Sequence, residues 1–289
     1  MLEATHDPRF SLERIDSYYR ETRWQYRGLW TGKSSLALHY GFWDKGVSSH
    51  AEALHRLNQI LADEVAIGPT DYVLDAGCGW GGSAIWLVEN RNCRSHGINI
   101  VADQIDKARE KATLFRVNDR AAFSVQDYHA TGFADATFDV VWAVESICYS
   151  QHKQAVIDEA FRVLKPGGRL VISDFLRSAR PMSRSQERAL ASWIHQWVVP
   201  DLATLPEMQS FLEQSGFMGI RDRETTSSVA PSSLRLFKIG LATTIPALMF
   251  RLTGIHSAMQ HANWKSSIYQ YLALRKDAWR YGILSAKKP

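Results

Sequence analysis

LDAGCGWGG, residues 74–82, decides how this 289-residue chain is read. It closes the short apolar run YVLDAG (72–77), and SAIWLVEN (83–90) follows it with helical spacing. Gly77, Gly79 and Gly82 fall as G-x-G-x-x-G at a strand-to-helix turn, where a parallel sheet lets a ligand approach the backbone. Outward from there the signals alternate. HGINI (96–100), AAFSVQD (121–127), FDVVWAVE (138–145) and GRLVISDF (168–175) read as strands, with ADQIDKAREKATLF (102–115) and HKQAVIDEAFRVLKPGG (152–168) as helices between them. That order predicts an α/β fold with a doubly wound, mostly parallel sheet. SRSQERALASWIHQWV (183–198) and PEMQSFLEQSGF (206–217) read as further helices, and AWRYGILSAKKP (278–289) as a late strand. The expected organisation is N-terminal aromatic lid helices over 1–45 and a Rossmann-like core over 46–180. A mostly helical substrate cap with one core strand then spans 181–276, and a final core strand 277–289.

Composition narrows the class. Hydrophobic content of 45% and charged content of 22% are those of a globular protein. The net charge of +4 comes from scattered Lys and Arg, which suits an anionic small molecule better than a nucleic-acid backbone. Cys78, Cys93 and Cys148 are odd in number and lack metal-ligand spacing, so free thiols, a reducing compartment and no protein-held metal are expected. The N-terminal MLEATHDPRFSLERIDS is polar and acidic, without the layout of a signal peptide, so the expected location is cytoplasmic. The longest apolar run, IGLATTIPALMF (239–250), is too short to span a bilayer and carries Pro246, but suits lining a greasy pocket or touching a membrane surface. No stable membrane insertion is expected, and a homo-oligomer is.

Asp75 sharpens the glycine loop. A carboxylate two residues before the first glycine repels a pyrophosphate but suits a cofactor bearing an ammonium and a sulfonium, such as S-adenosylmethionine (SAM). The second strand ends on Asn99, whose amide can hydrogen-bond a ribose diol without adding negative charge, which argues further against NAD. Asp127 and Tyr128, after the third strand, are positioned to reach an adenine amino group and stack on the ring. Gln104 adds a polar contact, and Cys78 and Ile100 complete the cofactor set.

These motifs, with the QD pair at 126–127, VWAVES, RVLKPGG and VISDF, resemble the class I SAM-dependent methyltransferases over about residues 50–175. The flanks YYRETRWQYRGLW…LHYGFW, the GINI turn and AWRYGILSAKKP are similar to the branch holding sterol and tocopherol methyltransferases and the bacterial prenyl-diphosphate C-methyltransferases. The resemblance implies a seven-stranded sheet and SAM as methyl donor. It also implies an isoprenoid substrate, a prenyl diphosphate such as geranyl or farnesyl diphosphate, with Mg²⁺ shared between phosphate oxygens and protein.

Methylating an alkene leaves a tertiary carbocation, and Glu145, at the C-terminal end of FDVVWAV, is the carboxylate best placed to take the proton. Prenyl-diphosphate methyltransferases use a Glu-Ser pair here, matched by Glu145–Ser146; Asp174, one strand on, is the competing base. Residues 18–43 hold eight Phe, Trp or Tyr in 26 positions, interleaved with Arg20, Arg23, Arg27 and Lys33. Leu12, Ile15, Tyr19, Tyr26 and Trp30 give a helical apolar stripe, which fits a docked helix and also a lid. Such a lid excludes water and faces a cation with π-systems, while arginines grip phosphate. The expected substrate wall is Tyr19, Arg23, Tyr26, Trp30, His39, Trp193 and Trp197, with His152 and His195 also near the pocket. The alternatives are a tocopherol-type aromatic C-methyltransferase, a small-molecule N-methyltransferase and a catalytically silent SAM-binding module.

Overall fold

Strand β1 (Tyr72–Ala76) sits in the middle of a seven-stranded sheet because its Val73, Leu74 and Ala76 are apolar on both faces, as a doubly covered parallel strand requires. The computed structural model describes residues 7–26 and 37–289. The other strands are β2 (Arg94–Asn99), β3 (Ala121–Val125), β4 (Phe138–Val144), β5 (Leu164–Arg177), β6 (Met218–Glu224) and β7 (Trp279–Lys287). Their order is β3-β2-β1-β4-β5-β7-β6, and β7 alone runs antiparallel, wedged between β5 and β6. This is the doubly wound sheet expected from the alternation of strand and helix signals, and β6 is the core strand expected within 181–276.

Helices α3 (Gly82–Arg91), α4 (Ala102–Leu114) and α5 (Lys153–Val163) make the crossovers. Before β1 runs α2 (His50–Glu64), started by Ser49, whose hydroxyl accepts from the Glu52 N–H. After β5 come α6 (Arg184–Ile194) and α7 (Leu205–Gln214). Met208 and Leu212 of α7 pack in one cluster with Leu74, Val141 and Leu170 of the sheet. Residues 181–276 therefore divide: α7 and β6 pack with the sheet, and the remainder forms the cap.

The cap consists of α1 (Leu12–Gln25), α6, α8 (Thr226–Ala242), α9 (Thr244–Leu252) and α10 (Ala258–Arg275). An aromatic core joins it to the sheet. Trp193 of α6 lies 5.2 Å from both Phe175 of β5 and Trp279 of β7, ring centre to ring centre. Helix α1 is rotated relative to its expected stripe: Ile15, Tyr18, Thr22 and Gln25 are buried, and Tyr18, outside that stripe, is the anchor. Its hydroxyl donates to Asn263 Oδ1 (2.7 Å) on α10. Asn263 Oδ1 also accepts from Trp197 Nε1 (3.1 Å), and its Nδ2 donates to Gln25 (2.9 Å). One half-buried amide thus ties α1, α10 and the turn that ends α6 together.

Candidate active site

Three glycines in the β1–α3 turn hold left-handed backbone: Gly77 (φ 90°), Gly79 (φ 53°) and Gly81 (φ 80°). A Cβ on Gly77 would lie 2.5 Å from Ser146 Cβ, and one on Gly81 would lie 2.8 Å from the Phe123 ring. Gly81, which the motif reading passes over, is therefore the third special glycine, and Gly82 simply opens α3.

Beyond this turn, between the C-terminal edge of the sheet and the cap, lies a cavity of about 290 Å³. Gly77, Cys78 and Gly79 line it, with Asn99, Ile100 and Gln104 from the β2–α4 turn and Tyr128 after β3. Asn99 Nδ2 donates to Gln104 Oε1 at 2.6 Å, so the two amides hold one another. Asp75 also lines the cavity; burial pushes its carboxyl up to about 7, and its Oδ2 is buried with no partner. An orphaned buried carboxylate oxygen fits a ligand that arrives with a positive charge and N–H groups. Among the described lining residues Asp75 and Glu145 are acids and none is Lys or Arg, which suits the sulfonium and ammonium of SAM.

Asp127, expected at the adenine, is not on the cavity wall. Its Oδ1 accepts from the backbone N–H (2.9 Å) and the ring Nδ1 (2.6 Å) of His129. Burial acts to raise its pKa, but these bonds prevail and hold the carboxyl below its ordinary value. Oδ1 thus orders its own turn, and Tyr128 is the residue of this pair on the cavity wall.

Glu145 is the first residue beyond β4. Its φ of 48° is a left-handed conformation that non-glycine residues rarely take, held by its N–H donating to Ser173 O (2.8 Å). That bend turns the carboxylate into the cavity. Oε1 accepts from the Tyr40 N–H (2.7 Å) and the Tyr281 hydroxyl (2.8 Å), and Oε2 has no hydrogen bond among the described residues. Burial pushes the carboxyl up to about 8, against the pull of those two donors. Asp174 is different: its oxygens accept from the Cys148 and Phe175 N–H groups, it does not line the cavity, and burial raises it to about 6.

Tyr19, Tyr26, His39, Trp193 and Trp197 line the cavity as expected. Tyr19 packs on Tyr149 and Tyr26, with ring centres 5.8 and 6.1 Å apart. His39 Nδ1 bonds the Tyr40 carbonyl at 2.7 Å; since a carbonyl only accepts, Nδ1 carries the hydrogen. Burial lowers this imidazole to about 4, so it is neutral, and its bare Nε2 is buried without a partner.

Two expectations are corrected. Arg23 is not on the cavity wall: its side chain is 67% exposed and pairs with Asp103 at 3.4 Å. Arg20, likewise exposed, pairs with Asp16. On helix α1 both fall on the face opposite Ile15, Tyr18 and Thr22, so packing of the apolar face turns them to solvent. His152 and His195 are not on the wall either. Trp30, Arg27 and Lys33 lie outside the described residues. Among the described residues no group of three His, Cys, Asp or Glu is arranged to hold a metal ion.

The wall also contains residues the sequence reading did not name, among them Tyr40, Tyr149, Phe175, Leu236, Ile239 and Phe250. Tyr40 carried a signal, since it stands in the aromatic stretch 18–43. The residues of α8 and α9 carried only the apolarity of 239–250.

A profile described as a methyltransferase domain matches residues 74–172, the span from β1 to β5. The 27-O-demethylrifamycin SV methyltransferase of Amycolatopsis mediterranei is 30% identical over 87% of this chain and 90% of its own length. The chain belongs to the SAM-dependent methyltransferases. The 2-methyl-6-phytyl-1,4-hydroquinone methyltransferase of Synechocystis is 35% identical to this methyltransferase over 75% of the chain and 69% of its own length. Among solved structures, the [4+2]-cyclase SpnF superposes with a TM-score of 0.81 at 22% identity, covering 96% of this chain and 97% of its own. A geranyl diphosphate methyltransferase in complex with GPP and sinefungin does so with 0.75 at 18%, covering 98% and 100%. At such identities the shared property is the fold of the methyltransferase.

Proposed function

We propose that this methyltransferase alkylates a double bond of a bulky, uncharged, isoprenoid-like acceptor, and that Glu145 takes the proton released. The observation that carries the reading is Glu145 itself: Oε1 pinned by Tyr40 and Tyr281, Oε2 unengaged among the described residues, in a cavity wall rich in aromatic side chains. When bound, SAM supplies a methyl group on a positively charged sulfur that departs as a neutral thioether. Adding CH₃⁺ to one alkene carbon leaves the neighbouring carbon positive. A C–H bond beside that centre then gives its electrons to a new double bond, and Glu145 Oε2 accepts the proton. The rings of Tyr19, Tyr26 and Trp197 on the wall suit the passing cation, and the apolar side chains of the cap disfavour water that would capture it. Two pinning donors fix the carboxylate while burial keeps it basic enough to serve near neutral pH.

The acceptor in this reading is neutral rather than a diphosphate, because no described wall residue is cationic and Arg20 and Arg23 face solvent. A neutral acceptor leaves no phosphate for Mg²⁺ to bridge. A second reading, transfer to a hydroxyl or phenol, is favoured by one observation: the bare Nε2 of His39 is buried without a partner and can accept a hydrogen bond from an incoming hydroxyl. Incubation with methyl-labelled SAM and a panel of prenols, terpenes, phenols, amines and prenyl diphosphates tests both. A neutral alkene gaining a C-methyl supports the first reading, an O-methyl product moves the assignment to the second, and turnover of diphosphates alone overturns both.

A further inference from the structure

Helix α9 is apolar on two opposite faces. Pro246, Ala247 and Phe250 face the cavity. Ile245, Leu248, Met249 and Leu252, spaced i, i+3, i+4 and i+7, face outward, with Ile245 71% and Leu252 87% exposed. Leu241, at the end of α8, and Ile255, in the turn after α9, prolong this stripe and are also exposed. Trp24 of α1 extends it sideways: it is exposed and packs on His256 (5.4 Å between ring centres), which packs in turn on Phe250 (5.1 Å). A helix with both faces apolar is ordinarily buried, and so large a continuous patch marks a surface that something covers.

Charge identifies the cover. Residues 225–276 contain no Asp or Glu but include Arg235, Lys238, Arg251, Lys265, Arg275 and Lys276. Lys238, in the last turns of α8, and Arg251, in the last turn of α9, are exposed. Glu21, which reaches this end of the cap from α1, is engaged by the Ser257 hydroxyl. We propose that the α8–α9 face docks on an anionic lipid bilayer, with α9 lying in the plane of the interface. Exposed aliphatic side chains, a tryptophan at the margin and cations unopposed by acids are what an interfacial helix needs. A second copy of the chain fits less well, since a twofold contact through this face would bring Arg251 and Lys238 against the same acid-free segment. At nine residues α9 is roughly 14 Å long, and no single helix among those described is long and apolar enough to cross a membrane. The stripe and the cavity wall are two faces of one helix. A lipophilic acceptor dissolved in the bilayer would therefore meet the helix that also walls the cavity.

Flotation of the full chain with phosphatidylcholine vesicles, with and without phosphatidylglycerol, tests the proposal. The wild type is expected to float with the anionic vesicles. Ile245→Ser/Leu252→Ser should lose at least about tenfold in partitioning, and Arg251→Glu about tenfold on anionic vesicles only. SAM affinity by calorimetry should be unchanged in both, which certifies that they fold. The proposal is overturned if the wild type stays in solution with both vesicle types, or if partitioning is insensitive to either variant. It is also overturned if light scattering shows a dimer that Ile245→Ser/Leu252→Ser converts to monomer.

Discussion

The hydroxyl of Tyr281, near the end of the chain, donates to Glu145 Oε1 at 2.8 Å, joining the antiparallel strand β7 to the carboxylate that follows β4. Ser173 donates in turn to that hydroxyl at 3.2 Å. The last strand thus supports the proposed base as well as closing the sheet. Tyr281→Phe keeps the ring and removes the donor. With burial then less opposed, the Glu145 carboxyl should titrate above its present value of about 8. The alkaline rise in rate should move to higher pH, with roughly a tenfold loss at neutral pH, since a hydrogen bond to a charged group contributes about 1.5–3 kcal/mol. A pH–rate profile of wild type and variant checks this.

Stability of the ligand-free protein should fall as pH rises from about 7 to 8. Glu145 at about 8 and Asp75 at about 7 both exceed their unfolded values, whereas burial lowers His39 and His50 to about 4; the histidines oppose the trend below about pH 6.5, and between about pH 7 and 8 the two carboxyls make the folded state bind more protons than the unfolded state. Unfolding free energy then declines with pH across that window. Melting temperatures measured from pH 7 to above 8 should decrease, and Glu145→Gln should flatten the slope.

Gly77→Ala should abolish most SAM binding, because φ of 90° and a methyl 2.5 Å from Ser146 Cβ cannot both be accommodated. Calorimetry is expected to register at least about a tenfold loss of affinity, while Arg23→Ala, altering only an exposed pair with Asp103, leaves it unchanged. Equal affinities for Gly77→Ala and wild type would remove the β1–α3 turn from the cofactor site.

Asn263→Leu should loosen the cap and spare the core. The amide serves Tyr18, Trp197 and Gln25 at once, so its loss leaves three buried polar groups short of a partner, each costing about 1–3 kcal/mol. Hydrogen exchange should accelerate in residues 12–25 and 258–275 and remain slow in β1 and β4.

The core of this architecture was legible because parallel strands buried on both faces write themselves as apolar runs, and a ligand-approach turn writes itself in glycines. YVLDAG and FDVVWAVE placed both the glycine turn and Glu145. What stayed hidden depends on rotation and long-range packing. Arg23 and Tyr26 lie three residues apart in the same stretch, yet one pairs with Asp103 in solvent and the other lines the cavity, because α1 is rotated about Tyr18 and Asn263. Tyr281 is 136 residues from Glu145, and only the antiparallel insertion of β7 brings them together. Asp127 stands off the cavity wall with its Oδ1 on His129, a local bond that no motif records.

The central claim is that Glu145 takes a proton from a methylated cation. Wild type and Glu145→Gln should be compared on the accepted alkene with labelled SAM, resolving products by mass spectrometry and NMR. The variant keeps the shape of the side chain and is expected to bind SAM, turn over about a hundred- to ten-thousand-fold more slowly, and give additional products from water capture or deprotonation at another carbon. Near-normal turnover to a single unchanged product would contradict the account, and His39→Gln losing activity in its place would assign the proton to the imidazole.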